Sequence, residues 1–150
     1  MDYRPYLAFA GNCRDAFTRY QEIFGGELTL LTTSDAPPDA GPPPAGVAAD
    51  AIMHAALVSG DALLMGADDM SGSFKGGVSG MCVNYATDDP ADAKRVFDAL
   101  AEKGDVQMPL GETFFSPAFG MCTDRFGIPW MVNCAKPPEA VAGAGRRSAA

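Results

Sequence analysis

The chain has 150 residues, of which 47% are hydrophobic and 20% charged, a composition typical of one globular domain or of two small modules sharing a core. Its formal net charge of −8 argues against nucleic acid and anionic membrane as partners and mildly favours cationic ligands. No apolar run approaches the roughly 18 residues that cross a bilayer, and the N-terminus lacks a signal-peptide pattern. We therefore predict a cytoplasmic protein without a membrane partner, and its four cysteines are expected to be reduced.

The first half of the chain predicts one helix and four strands. The strands are segments rich in apolar and β-branched residues, bounded by turn residues, at 3–10, 27–33, 51–58 and 62–67. The helix at 13–24 has Asn12 as its N-cap and Gly25-Gly26 as its stop. Its predicted buried stripe, at helical spacing, is Ala16, Phe17, Tyr20, Ile23 and Phe24. Residues 34–50 are too rich in proline for regular structure.

The second half repeats this order. Its strands are predicted at 80–86, 106–114, 118–124 and 128–134. Asp88 or Asp89 caps a helix at 91–103, Pro90 lies in its first turn and Gly104 ends it. The predicted buried residues of this helix are Ala93, Val96, Phe97 and Leu100. The halves align at two places, Asp15-Ala16 with Asp92-Ala93 and Gly60 with Gly127, so the chain contains an internal repeat.

The repeat predicts an α+β fold of two β-α-β-β-β modules. We place the first module at 1–70, a Gly/Ser-rich linker at 71–78, the second module at 79–136 and a disordered tail at 137–150. A single such module cannot bury both faces of its sheet, whereas two side by side, or two exchanged between chains, can.

Four short motifs resemble one protein family. They are Gly11-Asn12-Cys13 at the start of the first helix, His54 on the third strand, Glu112-Thr113-Phe114 on the sixth and the run from Phe126 to Trp130 near the end. Together they are similar to the PhnB-like branch of the vicinal oxygen chelate superfamily, which includes glyoxalase I, extradiol dioxygenases and bleomycin-resistance proteins. The resemblance covers residues 4–136. It implies mixed sheets curled into cups, a homodimer and a small-molecule ligand.

The resemblance also locates the superfamily's metal ligands, which are His or Gln, Glu, His and Glu on strands one, four, five and eight. The corresponding residues here are Tyr6, Leu64, Cys82 and Met131. This set offers neither imidazole nor carboxylate, the ligands that divalent metals favour in such a site. We therefore predict no divalent metal and no other cofactor.

His54 and Glu112 are the candidates for chemistry. His54 is the only histidine and is expected to share a face with Ile52, Ala56 and Val58. It is either a structural side chain or a base in the cavity, because histidine titrates near neutrality. Glu112 is predicted within a strand, where it is either buried beside a partner or an edge residue facing water. The sequence alone does not show whether His54 and Glu112 lie close together.

Four further residues are predicted to line a ligand cavity: Tyr6, Phe114, Trp130 and Met131. Aromatic side chains can stack on flat or cationic ligands. Cys13 lies in the first turn of a helix, where a thiol pKa is expected to be lowered.

Two functions remain open. The first is a metal-free dimeric protein that binds a small molecule, as some members of the superfamily sequester cationic drugs. The second is a lyase, isomerase or transferase that uses His54 and Glu112, with the option of a rebuilt metal site. A methyltransferase is disfavoured because no glycine-rich loop follows the first strand to hold a nucleoside cofactor. A purely structural protein would need no polar cavity.

Overall fold

Residues 3–135 are described by the structure, a computed structural model. The chain divides into unit 1, Met1–Gly77, and unit 2, Val78–Ala150, and the boundary lies inside the predicted linker. Each unit is a β-α-β-β-β module, as the internal repeat predicted. The predicted tail, 137–150, lies outside the described residues.

Unit 1 begins with β1 (Tyr6–Phe9), followed by α1 (Cys13–Phe24) and β2 (Glu27–Thr32). Two 3₁₀ turns, Thr33–Asp35 and Pro38–Ala40, interrupt the proline-rich segment, and β3 (Ile52–Ser59) and β4 (Ala62–Asp68) complete the unit. The elements of unit 2 are β5 (Val83–Thr87), α2 (Pro90–Ala101), β6 (Asp105–Gly111), β7 (Phe119–Thr123) and β8 (Pro129–Cys134).

The two sheets have the same topology. Unit 1 has the strand order β1-β4-β3-β2 and unit 2 the order β5-β8-β7-β6. In each sheet the first pair is parallel and the other two are antiparallel. The predicted α+β fold is confirmed. No helix within residues 3–135 is long and apolar enough to span a membrane.

Each helix packs on one face of its own sheet through an aromatic ring that lies against a glycine. A Cβ atom on Gly66 of β4 would come within 2.8 Å of the Phe17 ring, and one on Gly120 of β7 within 2.7 Å of the Phe97 ring. The predicted stripe of α2 is fully buried, and so is that of α1 except for Phe24, which is half-buried. Helical periodicity therefore identified both cores correctly.

The cap of α1 differs from the prediction. The Asn12 side chain makes no capping hydrogen bond. Buried Asp68, at the end of β4, instead accepts a hydrogen bond from the Cys13 amide at 3.0 Å with Oδ1, and its Oδ2 accepts one from the Ile52 amide at 2.8 Å. One carboxylate thus joins the start of the helix to the start of β3, and its negative charge also suits the positive end of the helix dipole.

The cap of α2 follows the prediction. Asp89 accepts a hydrogen bond from the Ala91 amide at 2.9 Å, and Pro90 occupies the first turn, where its missing N–H costs nothing. The helix ends at Ala101, two residues before the predicted end, because Lys103 adopts a left-handed conformation with a φ of 59°.

Candidate functional site

The open face of unit 1 is the side of its sheet turned away from α1. Strand register and alternation place eleven side chains there: Tyr6, Ala8, Glu27, Thr29, Leu31, His54, Ala56, Val58, Leu63, Met65 and Ala67. Most are small or apolar, so the few polar side chains among them stand out chemically.

Tyr6 and His54 form a polar pair on this face. The Tyr6 hydroxyl and His54 Nδ1 are 3.2 Å apart, and the ring centroids are separated by 5.8 Å. Tyr6 lies on β1 and His54 on β3, so the side chains meet across the intervening strand β4. The tyrosine is 52% exposed and the histidine half-buried, which leaves the pair accessible to a ligand.

A β-bulge sets the direction of His54. The pairing of β2 with β3 shifts between Leu31, which pairs with His54, and Thr32, which pairs with Ile52. Met53 is the extra residue, so Ile52 is buried on the helix side and His54 lies on the open face. The prediction that Ile52 and His54 share a face was wrong, because simple alternation does not account for an inserted residue.

The Tyr6–His54 hydrogen bond defines what the pair can do. Burial, with a smaller effect from the charge of Cys13, raises the pKa of Tyr6, so its phenol is protonated at neutral pH. The hydrogen bond occupies Nδ1 of His54 and leaves Nε2 as the ring nitrogen that can meet a ligand. The pair can donate or accept one hydrogen bond in a defined direction, and it can move a proton if the ligand supplies or takes one.

Among the four positions that correspond to the superfamily's metal ligands, Leu64 lies differently from the alignment. Leu64 is only 9% exposed on the helix side, and Met65 is the β4 residue that pairs with Tyr6 on the open face. Leu64 therefore corresponds to Trp130, not to Met131, and the alignment of Gly60 with Gly127 was one residue out of register. Within residues 3–135 no three His, Cys, Asp or Glu side chains are grouped as a metal site would require.

Unit 2 also has an open face, on the side of its sheet away from α2. Register and alternation place these side chains on it: Asn84, Ala86, Asp105, Met108, Phe119, Met121, Thr123, Pro129, Met131 and Asn133. Met131 lies there, directly beside Asn84. The Oδ1 atom of Asn133 is buried and has no hydrogen-bond partner, so this face contains an acceptor that a ligand or a water molecule would satisfy.

Phe114 and Trp130 occupy opposite environments. Phe114 is 93% exposed and packs edge-to-face against Phe115, which packs in the same way against Phe119. Trp130 is 2% exposed on the helix side, and its Nε1 donates a hydrogen bond to Asp124 at 2.8 Å. This burial corrects the expectation that Trp130 lines a cavity, because side chains next to each other in a strand face opposite sides and Met131 has the open one.

Glu112 is not part of a strand. β6 ends at Gly111, and Glu112 is an exposed residue in the bend that follows. Of the two environments considered for this carboxylate, the structure supports the one facing water. His54 and Glu112 belong to different units, and an acid–base role for the two together stays a prediction.

The cysteine thiols are structural in three cases. Cys13, Cys122 and Cys134 are buried, and burial raises the pKa of the first to about 12 and of the second to about 11. The expectation that the helix terminus lowers the pKa of Cys13 was wrong, because burial and the negative charge of Asp68 act in the opposite direction. Cys82 is half-buried.

A cavity in unit 1 was missed by the sequence analysis. It measures about 510 Å³ and lies where the parallel strands β1 and β4 end. Its lining comes mainly from the residues after β1, the proline-rich segment, and the end of β4 with the segment that follows it: Ala10, Gly11, Ala45, Gly46, Val47, Ala48, Ala51, Asp68, Asp69, Met70, Ser71, Gly72, Phe74 and Lys75. The carboxyl ends of parallel strands commonly border ligand sites, and this rule was the available signal.

Known proteins resemble this chain over most of its length. The family described as 3-demethylubiquinone-9 3-methyltransferase matches residues 2–133. The chain belongs to this family. Protein YjdN of Escherichia coli (strain K12) is 37% identical over 144 aligned positions, and the match covers 91% of this chain and 97% of that protein.

Solved structures connect this family member to a wider group. Protein PA1353 from Pseudomonas aeruginosa is 46% identical, with a TM-score of 0.81 over 91% of this chain and 99% of that one. A Bacillus cereus structure, described as a putative 3-demethylubiquinone-9 3-methyltransferase, PhnB protein, is 22% identical and shares the fold, with a TM-score of 0.69 over 90% of this chain and 100% of that one. The predicted PhnB-like branch of the vicinal oxygen chelate superfamily is confirmed.

Proposed function

We propose that this PhnB-like protein binds a small molecule on the open face of unit 1, without a divalent metal and as a cytoplasmic homodimer. The observation that carries the proposal is the Tyr6–His54 pair. A polar pair held in one orientation on a mostly apolar, accessible face supplies the specificity of a ligand site, while the surrounding apolar side chains supply apolar contact.

The Tyr6–His54 hydrogen bond contributes little to the stability of the fold, which favours a role in ligand binding. Surface hydrogen bonds contribute little to stability because water competes for both partners. Here the bond instead fixes the direction of the imidazole, so Nε2 is presented to the solvent side of the sheet at a constant position. Alanine at positions 8, 56 and 67 surrounds the pair with short side chains, which leave the pair accessible from the side.

A cationic or flat aromatic ligand fits this surface best. The net charge of −8 attracts cations, and the Tyr6 ring and the neighbouring Met65 thioether provide polarisable contacts.

The test is a thermal-shift screen of cationic and aromatic compounds, followed by calorimetry on any compound that binds. Tyr6→Phe and His54→Ala are expected to weaken binding by about 5- to 30-fold each, the equivalent of one hydrogen bond lost in a partly buried site. Thr29→Ala on the same face is the matched control and is expected to leave affinity unchanged. Equal affinities for all four proteins would refute the proposed site.

Metal content and assembly are tested separately. Untagged protein exposed to zinc, nickel, manganese and iron and then desalted is expected to retain almost none of them by plasma mass spectrometry. One retained ion per chain would contradict the metal-free proposal. Analytical ultracentrifugation tests the homodimer, and a monomer at micromolar concentration would remove that part of the proposal.

An enzyme remains the second candidate, with His54 and Glu112 as its acid–base residues. The observation in its favour is that a hydrogen-bonded imidazole on an accessible face is a typical proton carrier. His54→Ala separates the two functions, because it would abolish turnover in an enzyme while a binding protein loses affinity only. Glu112→Gln tests the exposed carboxylate, and loss of turnover without loss of ligand affinity would favour catalysis. Binding of a nucleoside methyl donor would favour a transferase.

A further inference from the structure

Three methionines form a straight row across the open face of unit 2. Met108 on β6 pairs with Met121 on β7, and Met121 pairs with Met131 on β8. Residues paired directly across a sheet point to the same face, with Cβ atoms about 5 Å apart. The three thioethers therefore project side by side from adjacent strands. We call these residues the methionine row.

The backbone of β6 is irregular on both sides of Met108. The pairing shifts between Val106 and Met108 and again between Met108 and Gly111, so Met108 is the one paired residue between two interruptions. Bulges on edge strands reorient single side chains and occur beside functional sites. The irregularity keeps Met108 in line with Met121 on a strand whose pairing is otherwise interrupted.

The row is within reach of solvent. Met108 is 45% exposed, and Met121 and Met131 are half-buried. Methionine has three rotatable bonds before its methyl group, so neighbouring sulfur atoms can converge on one point above the central strand without movement of the backbone. The outer two strands are two sheet spacings apart, a separation that two inward-turned methionine side chains can close.

Thioether sulfur is a soft and neutral ligand, and this property determines which ion it can bind. Soft thioethers select Cu(I), whereas zinc, magnesium and manganese prefer imidazole, carboxylate or thiolate. A thioether carries no proton at any accessible pH, so binding does not compete with protonation. Asn84 continues the row beyond Met131, but its amide is a weak ligand for a soft ion.

We propose that Met108, Met121 and Met131 form a three-thioether site for a soft monovalent metal ion, Cu(I), on the open face of unit 2. The site shares no residue with the Tyr6–His54 pair and goes beyond the proposed binding of an organic ligand. The other use of such a row is an adaptable apolar surface, which would bind no metal.

The experiment uses the full chain with Cys82→Ser, because a half-buried thiol would itself bind Cu(I). Anaerobic titration with Cu(I) against a chromogenic Cu(I) chelator is expected to give one bound ion per chain. Met121→Leu, which conserves volume, is expected to lower the affinity at least about tenfold, since it removes the central of three ligands. Met53→Leu, at another exposed methionine in unit 1, is the matched control and should bind as the parent does.

Methyl NMR identifies the ligands directly. With ¹³C-methyl methionine and Ag(I) as a redox-inert substitute, three of the eight methionine signals are expected to shift together and to saturate at one equivalent. Equal Cu(I) affinity in Met121→Leu and the parent, or shifts spread over other methionines, would overturn the proposal. Because Cys82→Ser and Met121→Leu both lie in unit 2, failure here does not affect the proposed ligand site, and failure of the Tyr6 and His54 variants does not affect this one.

Discussion

The two units have the same topology but begin their helices in different ways. In unit 1 the start of α1 is capped from the sheet, by Asp68 at the end of β4. In unit 2 the start of α2 is capped locally, by Asp89 just before the helix, and the residue at the end of β8 that corresponds to Asp68 is buried Cys134. A repeated fold thus preserves the requirement that a helix terminus be satisfied, but not the residue that satisfies it.

The open faces of the two units also carry different residues on the same topology. Unit 1 presents a hydrogen-bonded tyrosine and histidine, whereas unit 2 presents a row of three thioethers and two amides. The helix-facing sides are alike, with an aromatic ring against a glycine in each unit. Divergence between the repeats is therefore greatest where the sheet faces away from its helix, which is where a function would be added to a common scaffold.

The largest expected effect is the difference in stability lost when each of the two helix caps is removed. Asp68→Ala removes the acceptor of two backbone amides, Cys13 and Ile52, and should lower the free energy of unfolding by about 3 kcal/mol, since each unpaired buried donor costs about 1–3 kcal/mol. Asp89→Ala removes a local cap only and should cost about 1 kcal/mol. Urea denaturation measures both. Asp61→Ala in an exposed turn is the control, and equal costs for Asp68 and Asp89 would contradict the distinction.

Thiol reactivity provides an intermediate test. Cys13 in unit 1 and Cys122 in unit 2 are buried, with pKa values raised to about 12 and about 11 by that burial, and Cys134 is buried with a raised pKa for the same reason. We expect a thiol reagent at pH 8 to modify one cysteine per native chain rapidly, Cys82, and the other three only after unfolding.

Mass mapping of the labelled peptide identifies the modified cysteine, and Cys82→Ser should remove the fast phase. Rapid labelling of Cys13 would mean that its helix terminus opens readily, contrary to the buried cap at Asp68.

The smallest expected effect is a change in stability at acidic pH. Asp69, which follows β4 in unit 1, accepts hydrogen bonds from the amides of Phe74 and Ser71, and these lower its pKa to about 2. A carboxylate with a pKa below its unfolded value of 3.8 contributes stability above that value and loses the contribution as the pH falls towards 2. The carboxylate is exposed, so the effect on overall stability is small.

Amide chemical shifts of Ser71 and Phe74 should therefore titrate with a midpoint near pH 2, and Asp69→Asn should abolish the titration. A midpoint near the ordinary value of an aspartate would show that these hydrogen bonds do not persist in solution.

Local patterns predicted the helices and strands, because helical spacing and turn residues act over a few positions. They identified the buried residues of α1 and α2 almost completely. Asp68 escaped prediction because the amide that it caps, at Cys13, is 55 residues away in sequence. The direction of His54 depended on a bulge, which is a property of a strand pair and cannot be recognised in one strand.

For the same reason, the sequence predicted only part of the candidate site. Tyr6, His54 and Met131 do lie on open faces, but nothing in the sequence indicated that Tyr6 reaches His54 across β4. Trp130 and Met131 are adjacent in a strand, so alternation alone required that one of them face the helix. Trp130 is the one that faces the helix, where its indole Nε1 donates a hydrogen bond to the Asp124 carboxylate.

Asp124 has a wider consequence for how this chain is compared with others. Its carboxylate accepts hydrogen bonds from the amides of Phe126 and Ile128 as well as from Trp130, so the motif near the end of the chain holds its own turn together. A motif conserved by such a requirement would be inherited by any descendant that keeps the fold, whatever its ligand. Two relatives that share this motif would then be expected to share a fold, but not a function. The function would follow from the side chains on the open faces of each protein.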